Sequence, residues 1–424
     1  LDRCLSCEYI WVKILAFNVL YSFRRCVGSN YCNGLIFDGN FGFMTTKESY
    51  KIFWLAGESS ADLHSELVMK ALNDKFGNLI HIGIGGPRMQ RQGLKPIFPF
   101  DKFAVMGFVE VVKHLFFFFQ VQHKISKLFS TEKFDLAILV DYPGLNLRIA
   151  KMADEMRIPV LYFICPQFWA WKHKRVYQLK DSVRYVACIL PFEEELLKIH
   201  DINSIYVGHP IAEEIKFELD RESFARFFGL NPDKKWVGFF PGSRNNEITK
   251  MLPVYLKTVS KWNLNEYELL FSKSRSVNHQ LYLSYIENYR QIKLIDGYNY
   301  EMMKYCEALI CTSGTVTLEA AYIGTPMVIC YKSSWLSYLI GKHFVRIKKI
   351  GLPNIVLNAD ILPELVQKDM NPENIYNACK RILDNPEINA AIRKELLKLR
   401  AMLSDKHPSV EMPKIVRHLF ETYG

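Results

Sequence analysis

Two carboxylates follow apolar runs that have the composition of buried strands. Asp141 ends the run "DLAILVD", and the turn formers Pro143 and Gly144 come shortly after it. Glu58 follows the run "KIFWLA" in the same way. Because the carboxyl ends of parallel strands border the ligand crevice of an α/β sheet, either carboxylate is a candidate general base. Asp is equally favoured as a helix cap, so residue type alone leaves both roles open for Asp141.

A turn in the second half of the chain has the composition of an anion-binding site. The stretch "FFPGSRNNEI" places Gly242, Ser243 and Arg244 between a strand-like run and a helical one. Amides at a helix N-terminus attract anions, and a guanidinium adds bidentate geometry suited to a diphosphate. The alternative is a tight turn with a solvated arginine.

A second turn of this kind carries a carboxylate as well. In "ICTSGTVTLEAAYIGTP", the small residues Ser313, Gly314 and Thr315 lead from a strand into a helix, and Glu319 lies about one turn inside that helix. Small residues allow the backbone to approach a phosphate, and acidic residues in nucleotide-binding folds accept ribose hydroxyls. The alternative for Glu319 is an imperfect capping box with Thr315.

The composition limits the classes of partner. The chain has 424 residues, 54 of them Lys or Arg and 44 Asp or Glu, so its formal net charge is +10. This charge favours anionic partners, such as phosphorylated metabolites or an acidic membrane surface. No nucleic-acid partner is expected, because C2H2 spacing, an RNP-like aromatic pattern and long basic runs are all lacking. The ten cysteines show no metal-ligand spacing, and no metal site is predicted.

Short apolar runs alternate with amphipathic ones from Lys51 onward, which is the rhythm of parallel α/β sheets. A polar stretch near residues 210 to 235 interrupts this rhythm, which then restarts. The pattern predicts an N-terminal Rossmann-like domain over 44–215 and a second over 216–370. Leu, Ile and Ala at helical spacing predict a helical tail over 371–424.

The first 43 residues do not fit this pattern. The chain begins with Leu1, and "YIWVKILAFNVLYSF" is too short and too interrupted by Lys13 and Asn18 to span a bilayer. We expect Met44 to be the natural start and residues 1–43 to be a non-native or disordered extension. A chain that begins at Met44 should therefore fold and turn over normally.

Taken together, the motifs resemble the lipid-A-disaccharide synthase family of inverting glycosyltransferases. The similar stretches are "GESSADLH", "GIGGPRM", "AVMGFVEV", "DYPGLN", "CPQFWAWK", "PGSRNNEI", "SGTVTLE", "GTPMVICY" and "LPNIV". They run in order from about Lys51 to beyond Asn354, so the resemblance covers nearly everything after Met44. It implies an α/β protein with the GT-B fold, in which two Rossmann-like domains face each other across a cleft.

The resemblance also implies a reaction. The family joins the sugar of UDP-2,3-diacylglucosamine to 2,3-diacylglucosamine 1-phosphate, giving UDP and a β-1,6-linked disaccharide 1-phosphate. It implies that the second domain binds the UDP-sugar and the first the acceptor, with Asn354 near the donor and no cofactor or metal. Inversion needs one general base, and the sequence leaves Asp141 and Glu58 as alternatives.

Acylated substrates imply a protein that reaches the cytoplasmic face of the bacterial inner membrane. The segments "VVKHLFFFFQVQHK" and "SSWLSYLIGKHFVRIKKIG" mix aromatic and basic residues, as interfacial segments do. Four consecutive Phe residues cannot all face one side of a helix, so at least one should meet lipid, ligand or solvent. The sequence leaves a homodimer open.

Two other functions compete with this interpretation. One is a different GT-B enzyme that acts on UDP-N-acetylglucosamine derivatives, either an epimerase or a peptidoglycan glycosyltransferase. The other is a membrane-associated binding protein. Charged residues at three strand ends, Asp141, Arg244 and Glu319, argue against a role without a small-molecule ligand.

Overall fold

The computed structural model describes residues 49–104, 115–170, 173–274, 277–333 and 349–424. The expectations about residues 1–43, and about most of the second aromatic and basic segment, lie outside these ranges. Residues 49–424 form one compact unit, so the division into domains at residue 215 stays a prediction.

The first half of this unit is built on a sheet of seven parallel strands in the order β3-β2-β1-β4-β5-β6-β7. Its strands are β1 (Tyr50–Ala56), β2 (Leu79–Ile84), β3 (Lys95–Pro96), β4 (Leu136–Val140), β5 (Val160–Phe163), β6 (Tyr185–Cys188) and β7 (Ser204–Tyr206). Every residue of β4 is fully buried, as its unbroken apolar run predicts for a strand covered on both faces.

The second half contains a sheet of six parallel strands in the order β10-β9-β8-β11-β12-β13. Its strands are β8 (Lys235–Phe240), β9 (Tyr267–Lys273), β10 (Ile292–Asp296), β11 (Ala308–Thr312), β12 (Met327–Tyr331) and β13 (Glu364–Val366). All the strands expected from apolar runs are present. The edge strands β3 and β13 were missed, because β3 is only Lys95–Pro96 and β13 has just two consecutive apolar residues, Leu365 and Val366.

Helices cover both faces of the two sheets. They are α1 (Ser59–Phe76), α2 (Pro87–Arg91), α3 (Asp101–Ala104), α4 (Leu115–Thr131), α5 (Pro143–Glu155), α6 (Arg175–Ser182), α7 (Pro191–Lys198), α8 (Ile211–Glu214), α9 (Arg221–Phe228), α10 (Asn245–Thr258), α11 (His279–Ile286), α12 (Asn299–Tyr305), α13 (Thr315–Ile323), α14 (Leu352–Val356), α15 (Pro372–Asp384), α16 (Pro386–Leu403) and α17 (Pro408–Tyr423). In the described part of the chain, none of them combines the length and apolar character needed to cross a bilayer.

The helical tail returns to the first half of the unit. Helix α17 packs against α1, and the ring of Phe420 stacks on Tyr50 at 4.0 Å between centroids. Where the tail crosses, the hydroxyl of Tyr206 donates to the carbonyl of Met402 (2.9 Å). Gly208 has φ +89°, and a side chain there would overlap the backbone of Lys406, so only glycine fits this crossing.

Candidate active site

The predicted site residues lie at the two points where strand order reverses. The first sheet reverses between β1 and β4, and the second between β8 and β11. Such a reversal opens a crevice at the carboxyl ends of the strands. Glu58 follows β1 and Asp141 follows β4, while residues 242–244 follow β8 and residues 313–315 follow β11.

The two crevices face each other. An Nη2 atom of Arg244, from the second half, lies 3.6 Å from Oε2 of Glu58, from the first. The side chains are 61% and 39% exposed, and a pair so open to water contributes at most about 1 kcal/mol. An anionic ligand can therefore replace Glu58 as the partner of Arg244 with little loss of free energy.

The backbone at Asp141 is held in an uncommon conformation. Asp141 and Tyr142 have φ of +46° and +47°, in the left-handed region that costs non-glycine residues about 1–2 kcal/mol each. The carbonyl of Asp141 accepts hydrogen bonds from the Tyr162 hydroxyl (2.6 Å) and from Nδ2 of Asn146 (2.7 Å). These two buried donors fix the turn after β4.

The side chain of Asp141 does not cap the helix that follows. Helix α5 has Tyr142 at its N-cap position, and no side-chain cap hydrogen bond is formed there. Burial and the neighbouring Glu58 raise the pKa of Asp141 to about 6, while a hydrogen bond from the backbone amide of Tyr142 and the charges of His64 and Arg175 oppose this rise. Asp141 is thus ionised at neutral pH, and its pKa lies close to the working range of a general base.

The turn after β8 already holds an anion of the protein itself. Glu247 accepts a hydrogen bond from the amide of Ser243 (2.8 Å) and another from Nη1 of Arg244 (3.2 Å). Gly242 has φ +125°, and a Cβ there would overlap the Glu247 side chain. We expected the amides of this turn to face a ligand. Instead, the amide of Ser243 donates to the Glu247 carboxylate, because a helix N-terminus attracts any nearby anion.

The turn after β11 is more open. The hydroxyl of Ser313 donates to the carbonyl of Ile350 (2.8 Å), whereas Gly314 and Thr315 are exposed to solvent. Glu319 is half-buried and forms no side-chain hydrogen bond or ion pair within the described ranges, so the capping-box alternative is not observed.

The pKa of Glu319 is raised well above the ordinary value of a glutamate. Burial and the nearby Glu214 raise its pKa to about 7, and His64 opposes this rise. The carboxylate thus titrates near neutrality, and ligand hydroxyls that donate to its charged form would favour ionisation.

Asn354 lies beneath the site rather than on its surface. Its buried amide donates to Leu362 O and to Glu364 Oε1, both at 2.8 Å, and accepts from the amide of Leu362 (3.0 Å). Glu364 in turn accepts hydrogen bonds from the amides of Ile350 and Gly351. Any contribution of Asn354 to donor binding therefore acts through the loop that it fixes, because its side chain is fully engaged.

One pair of residues in this region has no signal in the linear sequence. Nδ1 of His64 lies 2.7 Å from Oε1 of Glu214, and both side chains are buried. The two residues are 150 positions apart. Only the folded arrangement of α1 against α8 brings them together.

Solved structures of other proteins share this architecture. MnaA of S. aureus with UDP has a TM-score of 0.59 and 13% identity, covering 87% of this chain and 96% of that one. The glycosyltransferase of kitacinnamycin has a TM-score of 0.58 and 11% identity, covering 88% of this chain and 99% of that one. At these identities the likeness shows the fold alone, and it confirms the predicted GT-B architecture.

The sequence itself specifies the family. The model of the lipid-A-disaccharide synthetase family matches residues 52–416. A lipid-A-disaccharide synthase of Nitrosococcus oceani is 35% identical over 352 residues, which is 82% of this chain and 91% of that protein. The chain belongs to the lipid-A-disaccharide synthetase family, and it is a glycosyltransferase of lipid A biosynthesis, as the resemblance predicted.

The structure predicts a sharp effect of replacing Asp141 by Asn. Asn can keep the turn and the local packing, but it cannot accept a proton from an acceptor hydroxyl. We expect the turnover rate of Asp141→Asn to fall roughly 10²- to 10⁴-fold while the melting temperature stays nearly unchanged. Rates of UDP formation and thermal melts of both proteins test this.

The pH profile of the unmodified enzyme provides the matching control. Because the pKa of Asp141 is raised to about 6, its basic form is lost as the pH falls through 6, and kcat/KM should fall with it. Near-normal turnover of Asp141→Asn would instead move the assignment to Glu58, which Glu58→Gln would then test.

Proposed function

We propose that the protein transfers the sugar of UDP-2,3-diacylglucosamine to 2,3-diacylglucosamine 1-phosphate, giving UDP and the β-1,6-linked disaccharide 1-phosphate. One observation carries the proposal beyond family membership. A carboxylate with a pKa of about 6, Asp141, lies at one crevice, and the other crevice carries Arg244 at a helix N-terminus and Glu319. A base and an anion-binding turn that share one cleft are what a single displacement needs.

The proposed reaction assigns one step to each side of the cleft. Asp141 accepts the proton of the acceptor 6-hydroxyl as its oxygen bonds to the anomeric carbon of the donor. The bond from that carbon to the UDP oxygen breaks, with inversion, and its electron pair leaves with UDP. Arg244 and the N-terminus of α10 stabilise the charge that develops on the diphosphate.

In this proposal the turns of the second half hold the donor. Arg244 leaves Glu58 and Glu247 and binds the diphosphate. The exposed amides near Gly314 and Thr315 also approach the diphosphate. The Glu319 carboxylate accepts hydrogen bonds from the ribose hydroxyls. Gly242, Ser243 and Ser313 shape the backbone of these turns.

Mixing the two acylated substrates with the enzyme tests the function. We expect stoichiometric formation of UDP and of a disaccharide 1-phosphate, measured by coupled UDP detection and mass spectrometry. Absence of UDP would favour a membrane-associated binding protein. UDP release with a non-acylated sugar acceptor would favour a peptidoglycan glycosyltransferase.

Two substitutions test the donor site. Arg244→Ala removes a charge from the diphosphate, and Glu319→Ala removes an acceptor from the ribose. Each should weaken UDP binding by about tenfold or more, the effect of losing a hydrogen bond to a charged group. Isothermal titration calorimetry with UDP measures the affinity. Lys250→Ala, in the second turn of α10, is the control. Unchanged affinity in both variants would refute the assignment.

We also propose that the protein works at the cytoplasmic face of the inner membrane. The four Phe residues follow Leu115 at the start of helix α4. Phe116 and Phe119 are 74% and 63% exposed. Phe117 instead packs against Phe98 and Phe103. The expectation that at least one of these rings meets lipid, ligand or solvent is confirmed by their exposure, and two large exposed rings suit a lipid interface.

Replacing both exposed rings tests this surface. Phe116→Ser with Phe119→Ser should reduce cosedimentation with anionic phospholipid vesicles by about tenfold, since each ring loses its transfer free energy into the interface. Phe227→Ser, at an equally exposed ring on α9, should bind vesicles normally. Equal loss in both variants would show that the effect is not specific to α4.

A further inference from the structure

A buried ion pair joins the first half of the protein to the connector between the two sheets. His64 lies on α1, and its Nδ1 atom is 2.7 Å from Oε1 of Glu214, the last residue of α8. The side chains are only 6% and 3% exposed. The second carboxylate oxygen of Glu214, Oε2, is buried and has no hydrogen-bond partner.

A third element brings another carboxylate to this pair. Helix α13, which carries Glu319, packs against α8. The charges of Glu214 and His64 both act on Glu319, and Glu319 acts on the hydroxyl of Tyr300 from α12. His64 is also influenced by Asp141 and contacts the ring of His209 (6.2 Å between centroids). The cluster thus combines α1, α8, α12 and α13.

Glu214 and Glu319 carry two negative charges when ionised, and a protonated His64 compensates one of them. Glu214 and Glu319 repel each other, and repulsion between like charges grows where water is excluded. His64 is the cation that the structure places against them. Burial lowers the pKa of His64, but the carboxylates of Glu214, Glu319 and Asp141 together outweigh that effect, and the net pKa is raised above the ordinary value.

We propose that His64 is a positioning residue for the donor carboxylate: held by Glu214, its imidazolium offsets the combined negative charge of Glu214 and Glu319, so that Glu319 meets the ribose as a carboxylate. This inference rests on the proposed donor site. It assigns no contact with the substrate to His64 itself.

The direction of the pH effect follows from the signs of the charges. Removing the imidazolium removes an attraction that favours the ionised form of Glu319, so the pKa of Glu319 rises further. At pH 6.5 a smaller fraction of Glu319 is then charged. At pH 8.5 the carboxylate is largely ionised with or without His64.

The variant His64→Asn isolates this charge, because Nδ2 of Asn can replace Nδ1 of His as a donor to Glu214. We expect UDP to bind about three- to tenfold more weakly than to the unmodified enzyme at pH 6.5, and within about twofold at pH 8.5. The KM for the donor should follow the same pattern, and kcat at saturating donor should change less than about twofold.

A double-substitution cycle distinguishes this role from a merely structural one. In a Glu319→Gln background, His64→Asn should have no further pH-dependent effect on UDP binding. Glu213→Gln is the matched control: the neighbouring carboxylate accepts from the amide of Ser409 (3.1 Å), so its loss perturbs the connector while leaving the pH profile of UDP affinity unchanged.

The outcomes separate this inference from the proposed donor site. If Glu319→Gln itself leaves UDP affinity unchanged, the donor site is wrong. If Glu319→Gln weakens UDP binding but His64→Asn lowers affinity equally at both pH values, or equally in both backgrounds, the positioning role is wrong. Should His64→Asn fail to fold, His64→Gln provides the same neutral replacement with a longer side chain.

Discussion

Four carboxylates converge on the cleft between the two sheets, and the site depends on how their mutual repulsion is compensated. Glu58 is paired with Arg244, and Glu214 is paired with His64. Asp141 and Glu319 are left without such partners among the described residues, and both have raised pKa values. The two groups that are free to exchange protons or accept ligand hydroxyls are therefore the ones that the chemistry would use.

At the start of α10, too, a carboxylate of the protein compensates nearby positive charge. Glu247 occupies the amide of Ser243 and contacts Arg244, so the turn is held in a closed hydrogen-bonded shape without a ligand. A diphosphate would substitute one anion for another, and the helix N-terminus would stay neutralised throughout. Arg244 is held by Glu247 and Glu58, and a diphosphate would compete with both carboxylates for it.

Local patterns in the sequence predicted the sheets and most of the strand-end positions that carry the candidate site residues. Apolar runs located every strand except β3 and β13, and the segments that follow these strands contain the candidates Asp141, Arg244 and Glu319. The His64 and Glu214 contact could not be predicted, because it depends on packing between segments far apart in the chain. Asn354 was identified by a motif, but only the structure shows that the motif fixes a loop.

The return of the C-terminal tail has a mechanical consequence. Two chain segments cross between the halves side by side, one at residues 207–210 and the other at residues 403–408, and Tyr206 and Met402 tie them together. Two adjacent tethers resist twisting about either one, and they leave bending about the line through both as the softest motion. Any relative movement of the two sheets would then be restricted to bending about this line, which changes the width of the cleft and leaves little freedom for one sheet to rotate against the other.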